Sequence, residues 1–241
     1  MNNFNIATET IELPSKGLVY PEGHPLASGT VEMKYMTAKE EDILTNQAYI
    51  KQGTVLDKLL QSLIVTKFPY DDLIIGDKNA LFIAARVLGY GSSYSFEIGG
   101  QQHTIDLASL ENKPFDESLI TKGINEFSYT LPFSNNPVTF KILTSGDEKK
   151  IEKELQGLKK INKDNSPELT TRLKYVITSV GNDREDKTIR DFVDNHLLAR
   201  DSRALREYIK QIQPDVDLSY TLDSGEEVNI PIGISFFWPD A

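Results

Sequence analysis

Hydrophobic and polar positions change period several times along this chain, and each change marks an element. The first thirty residues place Pro14, Gly17, Pro21, Gly23, Pro25 and Gly29 between short apolar pieces such as Thr10 to Leu13, predicting an extended arm with one or two short strands. Thr30 to Met36 then alternates β-branched or apolar with charged side chains, the period-2 mark of a half-buried strand. Thr37 and Glu40 form a T-x-x-E capping box, which predicts a short helix running to about Asn46. Thr54 is placed to cap a second helix whose Leu56, Leu59, Leu60, Leu63 and Ile64 share one face. Asp77 is placed to cap a third, Lys78 to Leu88, ended by Gly89.

From Tyr94 the period returns to two. Ser95 to Ile98, the Gly99-Gly100 pair and His103 to Leu107 predict a β-hairpin. Phe127 to Phe133 and Val138 to Leu143, joined across Ser134-Asn135-Asn136-Pro137, predict a second strand pair. Beyond Thr144 the text is helical: Asp147 to Ile161, then Pro167 to Val180 with Ser166 as cap, then Thr188 to Ile212 with a break near Asp201-Ser202. Leu218 to Leu222 and Val228 to Ile232 around Asp223-Ser224-Gly225 predict a closing hairpin, followed by Ile234 to Asp240 as a last extended piece. The fold class expected is α+β. An N-terminal arm, short helices and antiparallel hairpins occupy residues 1–144; a charged helical unit closed by a C-terminal β-hairpin occupies 145–241, the two forming either separate units or one continuous domain.

Charge sharpens that division. The chain of 241 residues carries a net charge of −10. Residues 145–213 hold 15 basic and 13 acidic side chains, whereas residues 1–144 hold 11 and 17 and residues 214–241 hold 0 and 6. An acidic chain has no non-specific attraction to nucleic acid or to an anionic membrane, so neither is expected as a partner. With no cysteine, disulfides and thiolate metal sites are excluded. No run approaches the roughly 18 apolar residues of a membrane span, and the opening MNNFNIATETIEL has no signal-peptide pattern, so a cytosolic protein is expected.

Candidate chemistry is sparse. Leu13-Pro14-Ser15-Lys16-Gly17 reads as a rigid turn rather than a sorting signal. Gly89-Tyr90-Gly91 follows a helix and opens a strand, the reverse of a dinucleotide-binding glycine loop. His24, His103 and His196 stand in no metal-ligand spacing, and the runs Glu40-Glu41-Asp42 and Asp183 to Asp186 read as solvated helix starts. No enzyme, cofactor or metal site is expected. Lys149-Lys150, Lys159-Lys160 and Lys163 interleave with Glu148, Glu152 and Glu154 at salt-bridging spacing on an exposed helix. Lys149, Lys150 and Lys153 are therefore candidate partner contacts by charge. Phe236-Phe237-Trp238-Pro239 is the other candidate: the segment either packs in the core or anchors a partner, and since consecutive aromatics on a strand face opposite ways, Phe236, Phe237 and Trp238 cannot share one core face, which makes one of them a candidate partner contact.

Several segments together resemble the baseplate hub subunit and hub assembly proteins of T4-like contractile-tailed bacteriophages. They are Leu13 to Pro21 with His24-Pro25-Leu26, Met33 to Leu44, Asp71 to Ala80, Leu197 to Arg206, and Phe236 to Pro239. Some similar phage proteins carry C-x-x-C pairs at their hairpin turns; here the turns read Gly99-Gly100 and Ser224-Gly225, so no metal ribbon is implied. The resemblance implies a non-enzymatic tail protein in assembly of the central hub, as a structural subunit or, alternatively, as a transient chaperone. Its expected partners are other baseplate hub or tape-measure proteins, or further copies of itself as a homo-oligomer. Its expected location is the host cytoplasm during assembly, then the virion tail baseplate.

Overall fold

The computed structural model describes residues 7–161, 167–222 and 224–237. It is an α+β fold of small antiparallel sheets set among helices. Strand β1 (Thr8–Glu12) pairs with β2 (Thr30–Lys34), and Val31 and Met33 turn inward from β2 as the alternation requires. Helices α1 (Ala38–Leu44), α2 (Gln47–Lys51) and α3 (Val55–Leu63) follow. The capping box forms at α1: the Glu40 carboxylate accepts the Thr37 N–H at 3.0 Å and its hydroxyl at 2.6 Å. Asn46 caps α2 by accepting from the N–H groups of Ala48 and Tyr49. Thr54 precedes α3 but makes no side-chain cap; its hydroxyl is buried without a partner among the described residues.

Helix α4 (Ile75–Tyr90) departs from expectation at both ends. It begins before Asp77, which lies inside the first turn and is drawn into a buried cluster rather than capping. It also runs through Gly89, where the missing Cβ leaves room for the Met36 side chain, and stops at Gly91. Strands β3 (Ser93–Ile98) and β4 (Gln101–Asp106) form the expected hairpin. Gly99 and Gly100 have φ of 61° and 80°, the left-handed pair that a two-residue turn between twisted strands demands.

The next sheet was only two-thirds legible. β5 (Phe127–Thr130) and β6 (Pro137–Phe140) pair as expected, and a third strand, β7 (Ile177–Val180), lies against β6. The expected helix over 167–180 therefore stops early: α6 covers Glu168–Val176, and the β-branched Ile177, Thr178 and Val180 pass into the sheet, where Thr139 meets Thr178 and Ser179. Ser166, the expected cap, lies outside the described residues.

Helix α5 (Ser145–Ile161) precedes α6, and α7 (Asp186–Asp191) runs into a π-helical turn, Phe192–His196, before α8 (Ala199–Ile212). The break thus falls at Leu197-Leu198, not at Asp201-Ser202, since Asp201 and Ser202 are needed inside α8. The acids of α5 do not bridge along their own helix: Glu148 pairs with Arg172 of α6 at 2.6 Å and Glu154 with Arg190 of α7 at 2.8 Å. β8 (Ser219–Thr221) and β9 (Glu227–Asn229) close the chain with the expected hairpin. Buried side chains from both halves form one hydrophobic cluster, from Leu13 and Leu26 through Phe140 to Phe236 and Phe237.

Candidate interaction surface

The most concentrated polar chemistry is buried. Asp77, on α4, is fully inaccessible, and its carboxylate accepts the Ser15 N–H at 2.9 Å, the Ser15 hydroxyl at 2.7 Å and the Tyr20 hydroxyl at 2.7 Å. Tyr20 in turn accepts the Ile74 N–H at 3.2 Å, and its ring stacks on His24 with centroids 5.4 Å apart. Burial pushes Asp77 up to about 6, although the bonds from Ser15 and Tyr20 pull the other way. Burial also pushes the Tyr20 hydroxyl up, with the Asp77 charge adding to it. A sealed carboxylate meets no substrate; this cluster latches the arm to α4.

An open cleft of about 660 Å³ lies where α3 and α4 face α5 and α6. Several of its charges are paired: Lys78 with Asp57 at 2.6 Å, Arg172 with Glu148, and Lys149 with Asp71 just outside, while Glu152 and Lys159 line it without an ion pair among the described residues. None is placed as a nucleophile beside a free base. Among the described residues no three His, Cys, Asp or Glu side chains converge as metal ligands do. His103 is buried between Phe96 and Tyr220, with centroids 5.8 and 5.6 Å away, as a packing residue of β4.

The aromatic candidates are corrected by the structure. Ile234–Phe237 is a 3-10 helical turn, not a strand, so Phe236 and Phe237 lie about 120° apart rather than on opposite faces, and both are 0 % exposed. Phe236 meets Tyr94 edge-on at 4.8 Å and Phe237 meets Phe82 at 6.1 Å. Arg86 secures the turn by donating to the Phe236 carbonyl at 3.0 Å. Neither ring is available to a partner. Trp238, with Pro239, lies outside the described residues. Of the basic candidates, Lys149 is held by Asp71 and sits 5.3 Å over the Tyr70 ring, whereas Lys150 and Lys153 are exposed without an ion pair among the described residues. The lysines share a helix but build no common site.

A different group stands out on the surface. The turn between β5 and β6 carries Phe133, 53 % exposed, and is fixed from below by Asp201 of α8. The buried Asp201 carboxylate accepts the Phe133 N–H at 2.8 Å and the Ser134 N–H at 3.1 Å. The Arg200 guanidinium lies 5.5 Å over the Phe133 ring, and Leu198, two residues earlier, is 50 % exposed. Sequence reading absorbed Phe133 as a strand residue. Its signal was a large ring inside the otherwise polar turn Pro132-Phe133-Ser134-Asn135-Asn136, where nothing local buries it.

No protein-family model matches the chain, and no curated protein or solved structure is found to be similar to it. Among the described residues no helix is long and apolar enough to cross a membrane.

Proposed function

We propose that this protein is a structural subunit of the central hub of a contractile-tail baseplate, working by protein contact and without catalysis. The observation that carries the reading is that the first three sequence blocks resembling the T4-like hub proteins come together around α4. Ser15 and Tyr20 of the first block bind Asp77 of the third, and Met36 of the second lies against Gly89 of α4, the helix that carries Asp77. Three of the five resembling blocks thus pack around α4.

The test is mass spectrometry of purified phage particles, together with co-expression of this chain with the neighbouring tail proteins. Recovery of the chain in particles at stoichiometric level is the expected result. Co-purification with a hub or tape-measure protein, but absence from particles, would mean a transient assembly chaperone instead. Absence from both would overturn the proposal.

A further inference from the structure

We propose that the Phe133–Arg200 surface is the docking site for a hub partner, and that it receives an acidic segment carrying an apolar anchor. The inference rests on the functional reading above for the identity of the partner class, and on this surface alone for its place. Exposed apolar side chains are ordinary one at a time. Phe133 is unusual because a buried carboxylate is spent on holding its backbone: both oxygens of Asp201 are taken up by the amides of Phe133 and Ser134. The turn is thereby locked with its ring outward, and a pre-ordered aromatic loses little freedom on binding. Phenylalanine and arginine stacked together present one apolar and one cationic face, the composition enriched at the centres of protein interfaces.

Charge indicates what covers it. Arg200, Arg203 and Arg206 recur every third residue on the exposed side of α8, opposite the buried Asp201, Ser202 and Leu205. Arg200 and Arg206 have no carboxylate in ion-pair distance among the described residues, and Arg203 meets only Glu207 of its own helix, both largely exposed. An exposed cationic stripe is complementary to anionic groups, and because the chain as a whole carries −10 and repels a nucleic-acid backbone, those groups are taken to be the carboxylates of a protein segment. Two copies of this chain, each at −10, repel overall, which favours a different protein as occupant. An acidic segment with one apolar side chain would seat that side chain beside Phe133 and Leu198 and its carboxylates on the arginines.

The experiment uses the full chain co-expressed with candidate tape-measure and baseplate hub proteins. Affinity is measured for wild type, Phe133→Ala, Arg200→Glu and, as an exposed apolar control elsewhere, Leu119→Ala. A thermal melt of each variant reports the fold. The expected result is a loss of at least about tenfold in affinity for Phe133→Ala and Arg200→Glu with melts unchanged, none for Leu119→Ala, and binding that weakens steeply with salt. A photo-reactive benzoylphenylalanine at position 133 should cross-link to a partner segment rich in Asp and Glu. Wild-type binding to a tail protein that both variants retain overturns this inference and leaves the functional reading standing. Failure of wild type to bind any tail protein overturns both. Self-association lost in Phe133→Ala, or a cross-link only to this chain, makes a second copy the occupant and overturns the acidic partner.

Discussion

Asp77 is ionisable, fully buried and surrounded by donors, so its energetics depend on pH with a definite sign. Its folded value of about 6 lies above the ordinary 3.8, because burial disfavours the charge more than Ser15 and Tyr20 favour it. A raised value means that the stability it contributes is fully present below the ordinary carboxylate range and is lost as pH rises through about 6. At roughly 1.4 kcal/mol per unit, the gap between wild type and Asp77→Asn should shift by up to about 3 kcal/mol in favour of wild type on going from pH 7 to pH 4. Urea melts of both proteins across that range test it; a gap independent of pH would mean that Asp77 is not titrating in the fold. Next to it, Gly76 meets the C-terminal part of the chain so closely that an added Cβ would stand 1.8 Å from the Pro214 carbonyl oxygen. Gly76→Ala should cost about 1–3 kcal/mol or more, since backbone must move. Gly157→Ala, inside α5 with nothing within 4 Å of the added carbon, should instead stabilise by about 0.5–1 kcal/mol. Equal effects in denaturant melts would contradict the close approach at Gly76 and the open space at Gly157.

At the scale of elements, α1 shows how a local signal acquires a tertiary load. The T-x-x-E pattern is sufficient to place the helix, yet Glu40 does more than cap. It is fully buried and also accepts from Lys34 Nζ at 2.7 Å and the Ser62 hydroxyl at 2.9 Å, joining β2, α1 and α3. Burial alone would raise its value, but the donors Lys34, Thr37 and Ser62 together outweigh it and hold the carboxyl at about 2. Thr37→Ala should then lower stability by about 1 kcal/mol. Glu40→Ala should lower it by about 3 kcal/mol, because a partly buried lysine is left unpaired, and Lys34→Met in the same chain should recover part of that loss. Chemical denaturation of the two single variants and the double variant gives the comparison; equal costs for Thr37→Ala and Glu40→Ala would reduce Glu40 to an ordinary cap. The α6–β7 junction is the opposite case. Its helical spacing is genuine as far as Val176, but pairing with β6 takes the next four residues, since ladder bonds and the side chains of Phe140 and Ile177 reward an extended chain there.

Across the whole molecule, the C-terminal turn is part of the core that α4 and the β3–β4 hairpin begin. Phe236→Ala and Phe237→Ala should each destabilise by about 3–5 kcal/mol, as deletion of a sealed ring leaves a cavity. Both should reduce partner capture only in proportion to lost folding, unlike Phe133→Ala. Thermal melts run beside pull-downs separate the two classes; a Phe237 variant that melts as wild type would place its ring outside the core. The same connectivity crosses residue 144: β7 completes a sheet with β5 and β6, and Tyr208 of α8 stacks on Tyr129 of β5 at 4.6 Å.

Periodicity, turn chemistry and capping are nearest-neighbour effects, and what they control was legible. The amphipathic α3, the Gly99-Gly100 hairpin and the box at Thr37 each satisfy their backbone hydrogen bonds within a few residues, and the alternation of the Thr30 strand is itself local, so the sequence by itself determined them and the α+β class. The rest depended on partners far along the chain. Asp77 looks like a cap until Ser15, 62 residues away, supplies better donors, and Asp201 looks like a helix break until the β5–β6 turn, 67 residues away, brings it two unpaired amides. Phe236-Phe237 reads as a strand until Arg86, 150 residues away, draws it into a 3-10 turn that buries both rings. Buried polar groups must find partners wherever the fold supplies them, and no local pattern records which distant amide or carbonyl that will be. Only the tertiary structure, therefore, decided that the C-terminal aromatics belong to the core and that Phe133 is held out to solvent.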